Sequence, residues 1–219
     1  MSSLGLVARA LKSAHRSLRE TTFRRWNRDL PFADLLLDRW ERARRLGFGH
    51  GASIYDSSCV FGNVTVGDHT WIGPNTILDG SGGLTIGSYC SISTGVQIYS
   101  HDSVTWALSG GRADYEHAPV SIGDCCYIGP QAVIAKGVRI GEHSVVGTHS
   151  FVNGDIEPYT IAVGAPCHPI GHVVVHSDGS VDLQYDREPA GSADPSVVPH
   201  SIAVRRGGLN PADFHTVRE

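Results

Sequence analysis

From Val120 to Asn153 the apolar positions keep a metre of six. Ile122, Ile128, Ile134, Ile140, Val146 and Val152 follow one another at that step. Glycine comes directly after four of them, at Gly123, Gly129, Gly141 and Gly147. Two residues before each stands a small or compact residue: Val120, Cys126, Ala132, Val138, Ser144 and Ser150. Helices repeat near 3.6 and strands at 2, so a period of six belongs to neither; a fixed longer period marks a solenoid. The physical reading is a short strand with its aliphatic residue inward, then a corner that glycine eases by reaching positive φ. Three such edges close a triangular coil of about 18 residues, whose neighbours stack about 4.8 Å apart along the sheet direction. One coil cannot bury its own inner face, so several must stack.

The metre is already present upstream at Ile54, Val60, Val66, Ile72 and Leu78. It then slips by two in Asp79-Gly80-Ser81-Gly82-Gly83 and resumes at Ile86, Ile92 and Ile98. A second break, 99–119, separates Ile98 from Ile122 by whole steps of six, so the metre returns in phase. Spacing alone does not divide that stretch between coil and loop; the unpatterned Trp106-Ala107-Leu108-Ser109-Gly110-Gly111 favours a loop. The coiled domain is therefore expected over 51–170. Ahead of it, residues 1–50 read as a helical segment. Leu4, Val7, Ala8, Leu11 and Leu18 share one side of a first helix over 4–19, and Leu30-Pro31 ends it. A second helix is predicted over Phe32–Leu46, with Pro31 ahead of its first turn and Gly47 as its stop. After Pro166 the metre ends. Residues 171–186 read as a β-hairpin, strands Gly171–Val175 and Val181–Tyr185 about an Asp178-Gly179 turn, set to cover the open edge of the last coil. Residues 187–219, rich in Pro, Gly, Ser and Asp, read as a flexible tail.

Charge and cysteine content narrow the partners. The net charge of −4 argues against nucleic acid as the main partner. Positions 1 to 30 carry seven Arg or Lys against Glu20 and Asp29, hence +5, leaving −9 elsewhere. A basic amphipathic helix there fits either weak contact with a membrane surface or docking on another copy of the chain. Five cysteines, an odd number with two adjacent, read as reduced and cytoplasmic. Cys90 and Cys126 fall at the compact repeat position, where burial is expected. No apolar run reaches transmembrane length, and no signal peptide is evident.

The repeats Asp124-Cys125-Cys126-Tyr127-Ile128-Gly129 and Lys136-Gly137-Val138-Arg139-Ile140-Gly141, with Ala162-Val163-Gly164-Ala165-Pro166, resemble the hexapeptide-repeat acyltransferases. Among these the chain is most similar to the sugar and xenobiotic acetyltransferases, the group of the galactoside and maltose enzymes. The likeness covers roughly 51–171. It implies an all-β solenoid, a left-handed parallel β-helix, assembled as a homotrimer with acetyl-CoA in the groove between subunits. The period itself gives a coil but not its hand, ordinary parallel crossovers being right-handed.

Acyl transfer from a thioester asks chiefly for a base that removes the acceptor's proton, a task for His; backbone N–H groups at a corner would steady the oxyanion. The resemblance places the catalytic His just after an aliphatic repeat position at the mouth of a loop, which is His101. One coil earlier, allowing for the two inserted residues, its counterpart is Ser81, so Asp79 is expected close by. Asp79 and Asp102 are alternative partners to orient the imidazole or hold the acceptor. The resemblance also implies cofactor contacts at Gly129, Pro130, Gly147, Thr148, Asn153, Gly154 and His168. The family often has Lys or Arg at the last two places. Lys136 and Arg139, or Arg205 and Arg206, are then the candidates for the CoA phosphates.

The implied activity is acetyl transfer to a hydroxyl or amino group of a small-molecule acceptor, a sugar, possibly nucleotide-linked or part of a polysaccharide. An antibiotic or other small molecule is the alternative acceptor. The absence of a long helical domain counts against serine acetylation. A γ-carbonic-anhydrase-like zinc enzyme would need a His pair five apart, which the chain lacks. His168, His172 and His176 lie on a predicted strand, too far apart to share a metal, so no metal is expected. His143 and His149 read as surface positions, and His69 and His117 have no partner at a recognisable spacing. A non-catalytic structural trimer is the remaining reading.

Overall fold

The computed structural model describes residues 3–186. Its centre is a parallel β-helix in which three inward columns run the length of the coil. The first column is Ile54, Ile72, Ile92, Ile128, Val146 and Ala162, paired in parallel register coil by coil. The second is Val60, Leu78, Ile98, Ile134 and Val152. The third is Val66, Ile86, Ile122, Ile140 and Ile156. All but Val60 are buried, most of them fully. Cys90 and Cys126 are buried as well, each directing its Sγ at a glycine carbonyl of the next coil. Each column is one continuous hydrocarbon stack, where removing a large aliphatic side chain costs about 2–5 kcal/mol.

The registers resolve both breaks. Leu78 pairs with Ile98, two positions beyond the regular coil step, and the shift falls between Gly62/Val64 and their partners Gly80/Leu84. The inserted residues therefore sit at 81–83. Ile92 pairs directly with Ile128 and Ile98 with Ile134, each at twice the regular coil step. The second break is thus a single excursion inserted into one edge. Its extra residues number one full coil, which is why the metre resumes in phase. Within it His101–Asp102 pairs antiparallel with Glu116–His117, and Val104–Leu108 is a short helix.

The corners correct one expectation. Gly123, Gly129, Gly141 and Gly147 do not have positive φ; that conformation belongs to the residue two further on, as at Cys125, Gln131, His143 and His149. The glycines serve close stacking instead. A Cβ on Gly129 would lie 2.6 Å from the backbone nitrogen of Thr148 in the next coil.

At the N-terminus the first helix is longer than predicted, Ser3–Trp26. The second is split into Phe32–Leu36 and Arg39–Arg45. Leu37 is extended, and the Asp38 carboxylate accepts from the N–H groups of Trp40 and Glu41, an N-cap that starts a new helix inside the apolar pattern. Gly47, with φ 73°, ends it. At the far end Thr160–Val163 pairs antiparallel with His168–Val175, which pairs with Val181–Tyr185, so the hairpin continues the first sheet past the last coil. The tail at 187–219, with Arg205 and Arg206, lies outside the described residues.

Candidate active site

The two breaks in the metre meet. Asp79 follows the inward Leu78 on strand Ile77–Ile86, and the extra residues after it widen that corner. Directly above, Ser100 and His101 leave the coil to begin the excursion. Gly82 sits against this exit: its N–H donates to Ser100 Oγ at 2.7 Å, and a Cβ there would lie 2.4 Å from the Ser100 carbonyl oxygen.

Asp79 is the only buried carboxylate among the described residues. Its Oδ1 accepts from the Ser81 amide at 3.0 Å and the Ser81 hydroxyl at 2.6 Å. Its Oδ2 accepts from the Ser100 amide at 3.0 Å and lies 2.6 Å from His101 Nδ1. Burial pushes its pKa up, but the Ser81 hydroxyl, His101 and the Ser81 and Ser100 amides outweigh it and hold the value at about 2. An ionised carboxylate can only accept, so Nδ1 carries the proton and Nε2 is left as the basic nitrogen. The His101 side chain is 32% exposed.

Of the two alternatives, the structure brings Asp79 and not Asp102 onto the imidazole. Asp102 accepts from the Val104 amide and forms an ion pair with Lys136 at 2.9 Å. Lys136, on the next coil, also holds Glu116, so one cation clasps both strands of the excursion. Both carboxylate contacts raise the Lys136 pKa, Asp102 before Glu116. Arg139 is likewise engaged, with Asp155 at 3.1 Å. Of the cations named for the CoA phosphates, the two among the described residues, Lys136 and Arg139, are thus both paired.

The remaining sequence candidates fall at different corners. Gly129-Pro130 and Gly147-Thr148 stack at the corner after the first column, where the His149 amide donates to the Pro130 carbonyl. Asn153-Gly154 follows the second column, two coils beyond the exit of His101. His168 begins the strand that pairs with Val163. Thr148, Asn153, Gly154 and His168 are exposed, and an added Cβ on Gly154 would meet nothing within 4 Å. Within one chain these groups do not converge on His101.

Two residues near the imidazole escaped sequence reasoning. Tyr115 is stacked on His101 at 6.1 Å between ring centroids, and His117 lies at 5.7 Å. Trp106 meets Tyr115 edge-on at 5.6 Å. The available signal was positional, a His at each end of one excursion. His143 and His149 occupy corners, where His143 stacks on Tyr159, and His69 stacks on Tyr89. Among the described residues no group of three or more His, Cys, Asp or Glu is placed to hold a metal ion.

Two family models match the chain: bacterial transferase hexapeptide (six repeats) over residues 119–154, and hexapeptide repeat of succinyl-transferase over 63–100. Galactoside O-acetyltransferase of Escherichia coli (strain K12) is 30% identical over 130 residues, 50% of this chain and 64% of that protein. The dTDP-4-amino-4,6-dideoxy-D-glucose acyltransferase of Escherichia coli is 30% identical over 129 residues, 52% of this chain and 66% of that one. The chain thus spans somewhat under two thirds of the length of these curated relatives. Among solved structures, a hexapeptide-repeat containing acetyltransferase from Vibrio cholerae O1 biovar eltor, complexed with acetyl coenzyme A, is 31% identical. That match covers 75% of this chain and 87% of the other, with a TM-score of 0.51. With the repeat metre, the three stacked columns and this likeness in agreement, the chain belongs to the hexapeptide-repeat acyltransferase family.

Proposed function

We propose that the protein transfers an acetyl group from acetyl-CoA to a hydroxyl or amino group of a sugar, with His101 as general base and Asp79 as its orienting partner. The observation that carries this reading is the 2.6 Å contact of His101 Nδ1 with a buried, ionised carboxylate. The thioester supplies an activated acyl group and a good leaving group. His101 Nε2 takes the acceptor's proton as the acceptor attacks and returns it to the departing sulfur. Asp79 fixes the tautomer and stabilises the imidazolium formed in between, as a carboxylate does in hydrolytic triads. Ser81 and Ser100 hold Asp79 in place rather than touching the reacting atoms.

The cosubstrate's groove, in this proposal, is formed between neighbours in a homotrimer. There Gly129, Pro130, Gly147 and Thr148 of one corner join Asn153, Gly154 and His168 in a way they do not within a single chain. The exposure of Thr148, Asn153, Gly154 and His168 supports such a use. The sugar class rests on relatives whose names include a galactoside and a dTDP-linked amino sugar. The test is thiol release from acetyl-CoA against sugars, nucleotide-linked sugars and antibiotics. Turnover with a sugar or nucleotide-linked sugar is expected. Turnover confined to an antibiotic would overturn the acceptor class, and a monomer at micromolar concentration by light scattering would remove the shared groove.

A further inference from the structure

The first helix, Ser3–Trp26, has no buried residue. Its apolar stripe steps by three and four through Leu4, Val7, Leu11, Ala14 and Leu18, and among the described residues the stripe is half-buried at its lower end. Leu18 and Thr22 are half-buried, and His15 meets Phe32 edge-on at 5.1 Å. At the upper end Leu4 is 79% exposed, Val7 56% and Leu11 55% among the described residues.

The polar side is just as one-sided. Arg9, Lys12, Arg16, Arg19, Arg24 and Arg25 face a single acid within the helix, Glu20, for a net charge of +5. The acid packed against it from outside is Asp29, which binds Arg19. No acidic residue lies in the first turn. The rest of the chain carries a net −9; a second basic element is the helix Arg39–Arg45, where Arg44 and Arg45 are exposed. Phe23 and Trp26, both exposed, stand at its foot. No described helix is long and apolar enough to cross a membrane. An apolar stripe flanked by basic residues, low in mean hydropathy, is the pattern of a helix that lies in the plane of a lipid interface. Its long basic side chains reach the headgroups while their stems cover hydrocarbon.

We propose that Ser3–Trp26 docks the protein on an anionic phospholipid surface, with Leu4, Val7 and Leu11 entering the headgroup–acyl boundary and Arg9, Lys12 and Arg16 contacting the lipid phosphates. A second copy of the chain fits less well, because pairing the stripe with its own counterpart would set one helix of net charge +5 against another.

The experiment is co-sedimentation of the full chain with vesicles of phosphatidylcholine alone and with about 30% phosphatidylglycerol, an anionic content at which such attraction operates. Binding to the anionic vesicles only, weakened by high salt, is expected. Val7→Asp/Leu11→Asp abolishes it with circular dichroism and solution mass unchanged, since neither residue is buried. Lys12→Glu/Arg16→Glu lowers the partition coefficient by about tenfold or more, on the order expected for two charge reversals at a charged surface. Four outcomes would overturn the assignment. These are no binding to anionic vesicles, equal binding to neutral ones, binding that survives either double substitution, or a change of solution mass in Val7→Asp/Leu11→Asp. The last would mark the stripe as a contact between copies.

Discussion

Between Tyr127 and Val152 successive coils are of one length, the three column positions are hydrocarbon, and the corners repeat. Between Phe61 and Pro119 the same architecture takes two insertions, and there it buries a carboxylate, Asp79, against an imidazole. In the regular region Ile128, Ile134, Ile140 and Val146 each have an aliphatic neighbour above and below. That same regularity leaves no room for a polar cluster. The irregular region obtains one by releasing the chain from the stack at 81–83 and 99–119, while Leu78 and Ile98, neighbours in the second column, hold both exits in register. Stability and chemistry are in this way assigned to different residues of one coil.

Substitutions can break that division. Asp79→Asn offers Nδ1 an amide in place of an ionised acceptor and lets the imidazole take the other tautomer. Turnover is expected to fall by about 10²- to 10⁴-fold, read from initial rates of thiol release. Ile134→Ala, in the regular region, removes a fully buried side chain and is expected to lower unfolding free energy by about 2–5 kcal/mol in urea titration. Turnover per folded molecule should stay near the parent's.

Acid separates the regions as well. Asp79 has its pKa depressed to about 2 from 3.8. Its contribution, about 2 kcal/mol, is therefore full above the unfolded value and lost as pH falls from about 4 towards 2. The stability gap between the parent and Asp79→Asn should shrink over that window, and a gap independent of pH would mean that Asp79 is not ionised in the fold. The smallest effect is expected from Lys136→Ala. Freeing both strands of the excursion from their shared cation should raise the acceptor KM while leaving thermal unfolding close to the parent's.

Much of the fold was legible because a period of six is a covalent record of the coil: each inward residue names its own column. The position of His101 was legible for the opposite reason, as the point where the record stops. Its pairing with Asp79 rather than Asp102 was not, because it depends on Ser81 and Ser100 turning the carboxylate, a matter of side-chain direction and not of spacing. The size of the excursion was hidden by arithmetic, its extra residues equalling one coil. Tyr115 and His117 were hidden because the antiparallel ribbon that brings them to His101 is two residues wide and carries no alternation to read. The corner glycines misled for a physical reason too. Glycine suits these corners because a Cβ there would come within 2.3 to 2.6 Å of the next coil, one full turn of the solenoid away, whereas positive φ falls on Cys125, Gln131, His143 and His149.

The most direct test of the division is to measure turnover and thermal unfolding on one preparation of His101→Ala, with an acceptor the parent enzyme acetylates. The account predicts thiol release about 10²- to 10⁴-fold slower and a melting temperature near the parent's, because His101 lies outside the three columns. Full turnover in His101→Ala would contradict it and send the search for the base elsewhere on the excursion.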